Sequence, residues 1–229
     1  KSIMLKMIKP TFLFLFLIII SFFSFLYTGI KIDSFSFSNI LVSQFYIKMD
    51  KKLILTIDNI EYKSEKTTTS SSFEELKNSI ELLPKVLNFF QKIKINKLKI
   101  NDNEFEIILD DEILYLDNKY INIASKIDTI SNQVVFELYS LYLKDLNFLF
   151  DGKVKIDYFN EKIDYYGNFY YENLQSNINV EMTKKIAKFY LVSEPFKSLK
   201  FLKNFLHLPN IAESWMYDNV KGDIKIEEL

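Results

Sequence analysis

Two hydrophobic patterns divide the chain. From Thr11 to Tyr27 the run TFLFLFLIIISFFSFLY carries no charge and is almost wholly Phe, Leu and Ile. As a helix it would rise about 26 Å, close to the hydrocarbon thickness of a bilayer. Beyond it the period falls to two, the spacing of a strand with one buried face. Phe35 and Phe37 alternate with serines, and Phe45, Ile47 and Met49 alternate with Tyr46, Lys48 and Asp50. Leu53, Leu55 and Ile57 follow after Lys51-Lys52, so this stretch predicts a hairpin.

Residues 63–72, KSEKTTTSSS, read as a polar loop, with Ser72 three before Glu75 in capping-box spacing. Phe73, Leu76, Ile80, Leu83, Leu87 and Phe90 then recur at helical spacing. They predict a helix over about 73–91, kinked or restarted at Pro84. From Lys92 to about Leu191 the period is mostly two again. Separators such as Asn101-Asp102-Asn103, Asp110-Asp111, Asp117-Asn118, Asp151-Gly152 and Asn160-Glu161 cut it into about nine or ten strands. Connections so short permit only antiparallel neighbours. The tail predicts a helical pair over about 196–220, with Asn210 and Glu213 in capping-box spacing and Gly222 at a C-cap. A last strand is expected from Asp223 to Leu229.

Charge gives the apolar run a direction. Lys1, Lys6 and Lys9 precede it, and Lys31 with Asp33 follow. The positive-inside rule makes residues 1–10 a cytoplasmic stub and puts 29–229 across the membrane from it. The anchor itself is expected over 11–28, through Phe12, Leu13, Phe14, Leu15, Phe16, Leu17, Ile18, Ile19, Ile20, Phe22, Phe23, Phe25 and Leu26. A cleavable signal peptide would want small residues where bulky Leu26 and Tyr27 stand. The chain opens on Lys1 and stops in a strand-like run, so a fragment of a longer protein is expected.

Composition narrows the classes. The chain has 229 residues, 48% hydrophobic and 26% charged, so it can bury a core of one or two domains. Its net charge is −1 and it has no Arg, which excludes the basic face that nucleic-acid binding needs. It has no Cys, which removes disulfides, thiolate metal sites and Cys nucleophiles. Four glycines leave little room for phosphate-cradling loops.

The helices expected here cannot cover the apolar face of so many strands, yet such a face must be covered. The sheet can close into a sandwich or barrel, pack on a partner, or form a trough whose apolar lining holds a guest such as acyl chains. On periodicity alone the closed sandwich is favoured over the trough.

Candidate chemistry is sparse. His207, the only histidine, lies in Phe205-Leu206-His207-Leu208 and has no partner for a zinc site or a triad. Asp110, Asp111 and Glu112 read as a turn before a cation site. Tyr165, Tyr166, Phe169, Tyr170 and Tyr171 read as cross-strand packing before a binding platform. Trp215, with Met216 and Tyr217, suits an interface or a core equally. Nucleophile-elbow, P-loop, dinucleotide and zinc-protease signatures are all missing from the sequence. No metal, no cofactor and no enzymatic activity are expected.

Taken together, the stub, the anchor, the strand pair Gln44-Phe45-Tyr46-Ile47-Lys48-Met49-Asp50-Lys51-Lys52-Leu53 and the long meander resemble the AsmA-like envelope proteins of Gram-negative bacteria. The YhdP/TamB-type branch is the nearest in kind. The segment Leu208-Pro209 through Trp215 to Val220-Lys221-Gly222-Asp223 is similar to a helix-then-strand element of that branch. The resemblance implies a mainly β protein anchored in the bacterial inner membrane, with the bulk of the chain periplasmic. It also implies an antiparallel meander curved into an open hydrophobic groove, with a closed β-sandwich as the alternative. Such proteins move phospholipid toward the outer membrane without making or breaking a bond. On that reading Phe105, Ile107, Leu109, Leu114, Leu116, Val154, Ile156, Ile178 and Val180 line the groove, and phospholipid acyl chains are the partner. Which side of each strand faces the guest is open by one register step. The competing function is an envelope assembly or scaffold factor that binds outer-membrane or periplasmic proteins.

Overall fold

The computed structural model describes residues 2–62, 73–172, 174–200, 203, 209–219 and 221–226. Helix α1 (Ser2–Thr28) opens the chain. It passes into β1 through Gly29, at φ +94°, where a Cβ would lie 2.6 Å from the Tyr46 hydroxyl. Only glycine gives that turn and that close approach together. The strands that follow are β1 (Ile30–Phe37), β2 (Ile40–Met49) and β3 (Leu53–Tyr62). Helix α2 (Phe73–Phe89) leads to β4 (Phe90–Ile100), β5 (Asn103–Asp110), β6 (Ile113–Asn118) and β7 (Ile121–Ile130). Then come β8 (Gln133–Leu143), β9 (Phe148–Asp157), β10 (Lys162–Tyr171), β11 (Leu174–Thr183) and β12 (Ala187–Ser193).

These twelve strands form one sheet in chain order, β1 to β12, which is not closed. Every turn returns the chain to the neighbouring strand. With Gly scarce, several turns place other residues at positive φ: Ser38, Asn101, Asp111, Ser131, Asn147, Glu161 and Glu172. The short polar side chains among them tolerate that region best.

The meander therefore matches the periodicity, with corrections. The closed sandwich is not formed among the described residues, where the twelve strands make one open sheet. The other sheet among the described residues has only two strands, β13 (Phe196–Ser198) and β14 (Lys221–Ile224). The pairing is not all antiparallel either: β3 and β4 run parallel, joined by the long connection that contains α2. A crossover of that length is what parallel neighbours require. Helix α2 continues through Pro84 without a break. The expected turn at Asp151-Gly152 lies inside β9, and the gap between Ile95 and Leu98 is a bulge inside β4.

The tail differs most. Phe196 starts strand β13 rather than a helix, pairing with Ile224. Helix α3 (Asn210–Ser214) runs into a π-helical turn, Trp215–Asn219. Pro209, not Asn210, is its N-cap and no side chain caps it, so the Asn210–Glu213 capping box is not made. Gly222 sits in β14 at φ +133° rather than ending a helix. Ser72 and His207 lie outside the described residues.

The membrane-crossing expectation is not met among the described residues, where no helix is long and apolar enough to cross a membrane. The described side chains of α1 run from Phe14 to Thr28, about 22 Å, against roughly 30 Å of hydrocarbon. Nearly all of them are exposed, Leu26 being buried.

The chain packs as two compact units, one of Lys1–Thr69 with Pro84–Asp111, the other of Ser70–Leu83 with Glu112–Leu229. The first unit buries Val42, Ile57 and Leu109, and the second Ile127, Val134, Leu138, Ile156, Ile178 and Leu191. A fully buried aliphatic side chain of this size contributes about 1.5–3 kcal/mol relative to exposure.

Candidate functional site

Directly opposed residues of paired strands share a face, so the registers show which side each residue takes. In the first unit three rows run from β1 to β5: Ile30-Ile47-Leu55-Ile93-Leu109, Ile32-Phe45-Ile57-Ile95-Ile107 and Phe35-Val42-Ile60-Leu98-Phe105. Every member is apolar. The reverse side carries Lys31-Tyr46-Thr56-Lys94 and Ser36-Leu41-Glu61-Lys99-Glu104.

Strict alternation would put Phe35 and Phe45 on opposite sides. Their rings nevertheless meet edge to face at 5.7 Å. Gln44, at φ +52°, turns the strand over between Val42 and Phe45. The same step recurs from Ile57 to Ile60 and from Ile95 to Leu98, where Asn96 Nδ2 donates to Asp58 Oδ1 at 2.9 Å. A line of irregularities thus crosses this unit, each keeping the apolar set on one side while bending its strand.

The second unit repeats the design from β7 to β12. Its rows include Thr129-Val134-Ile156-Ile163-Met182-Ala187 and Ile127-Phe136-Val154-Tyr165-Val180-Phe189. A third row is Ser125-Leu138-Gly152-Gly167-Ile178-Leu191. The reverse side reads Asp128-Val135-Lys155-Asp164-Glu181-Lys188, nearly all charged. Here too a line of irregularities crosses the sheet, with bulges at Ala124/Ser125 and Leu138/Leu141. On β9 and β10 it continues as the opposed glycines Gly152, at φ +132°, and Gly167.

All nine residues expected to line a groove lie on these apolar faces. Phe105, Ile107 and Leu109 oppose Leu98, Ile95 and Ile93 in the first unit. Leu114 and Leu116 oppose Ser125 and Ile123, Val154 and Ile156 oppose Phe136 and Val134, and Ile178 and Val180 oppose Gly167 and Tyr165 in the second. Leu109, Ile156 and Ile178 are buried and the other six half-buried.

The aromatic cluster divides by parity. Tyr165, Phe169 and Tyr171 join the apolar face, where Phe148 meets Phe169 and Tyr171 at 5.0 Å and Phe150 meets Phe169 at 5.0 Å. Tyr166 and Tyr170 point the other way, and Tyr170 donates to Asp151 Oδ2 at 3.0 Å. Tyr165 folds over the glycine pair, and its hydroxyl donates to the Asp151 carbonyl at 2.9 Å. Burial, with the nearby Asp151 charge, pushes that phenol up to about 12. This glycine-and-tyrosine arrangement was not anticipated. Its signal was a glycine at an inward position of an aromatic strand, Tyr165-x-Gly167-x-Phe169.

Among the described residues titratable groups do not converge on either face. Asp157 is held down at about 2 by hydrogen bonds from Asn160 and Gln133, and Asp117 is lowered by hydrogen bonds from Lys144 and Asn122. Asp111 stands at positive φ in its turn, and Asp110 pairs with Lys92. Among the described residues no group of acids and histidines could hold a metal. A polar cavity of about 250 Å³ is lined by Lys200, Lys203, Asn210, Glu213, Ser214, Tyr217 and Asp218. Its lysines lie 3.8 Å from Asp218 and 3.6 Å from Glu213. Trp215 is 67% exposed, while Tyr217 is buried.

No family model, no curated protein and no solved structure matches the chain.

Proposed function

We propose that the chain is a non-enzymatic phospholipid carrier in the bacterial envelope. Acyl chains lie on the apolar faces, while α1 buries its apolar surface in the inner membrane and the strands stand in the periplasm. The observation that carries this reading is the predominantly apolar register on one face of each unit, unbroken in the three rows of the first, in a sheet that does not close. Phe35, Phe37, Met182 and Phe189 on these faces are 40, 76, 40 and 47% exposed. A bilayer supplies a guest that matches them. The reading agrees with what the AsmA-like resemblance implies, and transfer along such a face needs no reactive group.

The test places a photoreactive amino acid at single positions of the full chain in cell membranes. Val154 and Ile107 sample the apolar faces, and Lys155 and Ile108 their reverse sides. Phospholipid adducts are expected at 154 and 107 and not at 155 or 108. Absence of lipid at both apolar positions, or equal labelling of both sides, refutes the proposal. Protein adducts in place of lipid favour the scaffold reading.

A further inference from the structure

We infer that the β2–β3 turn of the first unit, with Phe89 beside it, is a surface that rests on anionic phospholipid headgroups. This rests on the reading that α1 is embedded in a bilayer. Ile30, the first residue of β1, pairs with Ile47. The chain from Lys48 to Lys52 therefore runs past the start of β1, back toward the side from which α1 arrives. Helix α1 packs on β2, Leu26 is buried there, and Gly29 lies against Tyr46. Residues 48–52 thus lie at the end of the sheet where α1 passes into β1, on the level of the α1–β1 junction.

That level is marked by residue type. Tyr27, 58% exposed, closes the apolar run, and Lys31 follows it. Aromatic residues and then lysines in this order mark the passage from hydrocarbon through headgroups to water. The turn carries Lys48, Lys51 and Lys52 against a single acid, Asp50, so its charge complements an anionic surface. It is also braced. Asp50 N–H donates to the Lys52 carbonyl at 3.0 Å, and Lys52 Nζ donates to the Leu87 carbonyl at 2.7 Å in the last turn of α2. That bond holds Phe89, 65% exposed, next to the turn, because Phe90 pairs with Leu53. An exposed aromatic among lysines at headgroup depth is an interfacial contact; the same residues in open water would leave the ring without a partner.

The chain has no cysteine, so one introduced cysteine reports one place. Asp50→Cys and, at the far end of the same strands, Ser38→Cys are labelled with a fluorophore in the full chain. Each is reconstituted into nanodiscs of phosphatidylcholine alone or with one quarter phosphatidylglycerol, containing a headgroup-linked quencher. Quenching is expected at position 50 and not at 38, and it should rise with phosphatidylglycerol. Lys48→Glu with Lys51→Glu should lower that contact by at least about fivefold per lysine. Co-elution with the disc and no quenching at 50, or quenching indifferent to both lipid charge and charge reversal, overturns this inference and leaves α1 insertion standing. Failure of the chain to co-elute with the disc overturns the insertion reading, and this one with it.

Discussion

Three of the four glycines offer a separation of steric from conformational cost. At Gly167 the backbone is not at positive φ, but an added Cβ would overlap the Asp151 carbonyl oxygen and reach within 2.7 Å of the Tyr165 hydroxyl. At Gly222 the φ is +133° but nothing lies within 4 Å. At Gly152 both penalties apply, with φ +132° and an overlap with the Gly167 backbone. Overpacking costs about 1–3 kcal/mol, and an L side chain in a strained backbone region costs about 1–3 kcal/mol. Gly167→Ala also disturbs the Tyr165 hydrogen bond, worth about 0.5–1.5 kcal/mol net. Gly167→Ala should therefore cost about 2–4 kcal/mol, Gly222→Ala about 1–3 and Gly152→Ala about 2–6. For chains of this size that lowers Tm by about 2–4 °C per kcal/mol. Thermal melts of the full chain followed by circular dichroism read the order directly. A Gly167→Ala melt superimposable on the parent would refute the reasoning, since the close approach of β9 and β10 would then not be required.

Burial sets a second contrast. Ile127→Ala, at 1% exposure, should cost about 2–5 kcal/mol, whereas Phe189→Ala, at 47%, should stay under about 1 kcal/mol by urea denaturation. Two titrations follow from the shifted groups. The folded pKa of Asp157, about 2, lies below the ordinary 3.8, so its contribution is present above pH 4 and lost as pH falls toward 2. Asp157→Asn should flatten that acid limb of the stability profile, and an unchanged limb would count against the hydrogen bonds from Asn160 and Gln133. The Tyr165 phenol, raised from 10 to about 12, stabilises the fold below pH 10 and loses that contribution as pH rises through 12. The latest tyrosinate step in ultraviolet titration should lose one tyrosine's amplitude in Tyr165→Phe, while Tyr170, also raised by burial and its Asp151 hydrogen bond, still titrates late.

Much of the fold was legible because strand alternation and short turns are local signals. Most of the strands β4–β12 follow from period two and the turn residues between them, although the expected turn at Asp151-Gly152 lies inside β9, and the parity of Phe105, Ile107 and Leu109 follows with them. What alternation cannot show is where parity changes. The steps from Ile57 to Ile60, Ile95 to Leu98 and Leu138 to Leu141 each insert a residue that looks like noise in the pattern until a partner strand fixes the count. The parallel pairing of β3 with β4 was hidden because a long connection permits either direction. Phe196 misled because a three-residue strand offers too few positions for a period. The apolar faces were therefore visible as sets of residues, while their assembly into rows, and the glycine pair beneath Tyr165, depended on registers.

The order of the strands also governs how the chain can reach this state. Every neighbouring pair but one is joined by a connection of a few residues, so each new strand finds its partner already beside it. Closing so short a loop costs little entropy, and growth can proceed strand by strand. The exception is the junction of β3 and β4, separated by residues 63–89. Pairing there must wait for the longest connection in the sheet to close, which makes this junction the kinetic bottleneck of an otherwise local folding reaction.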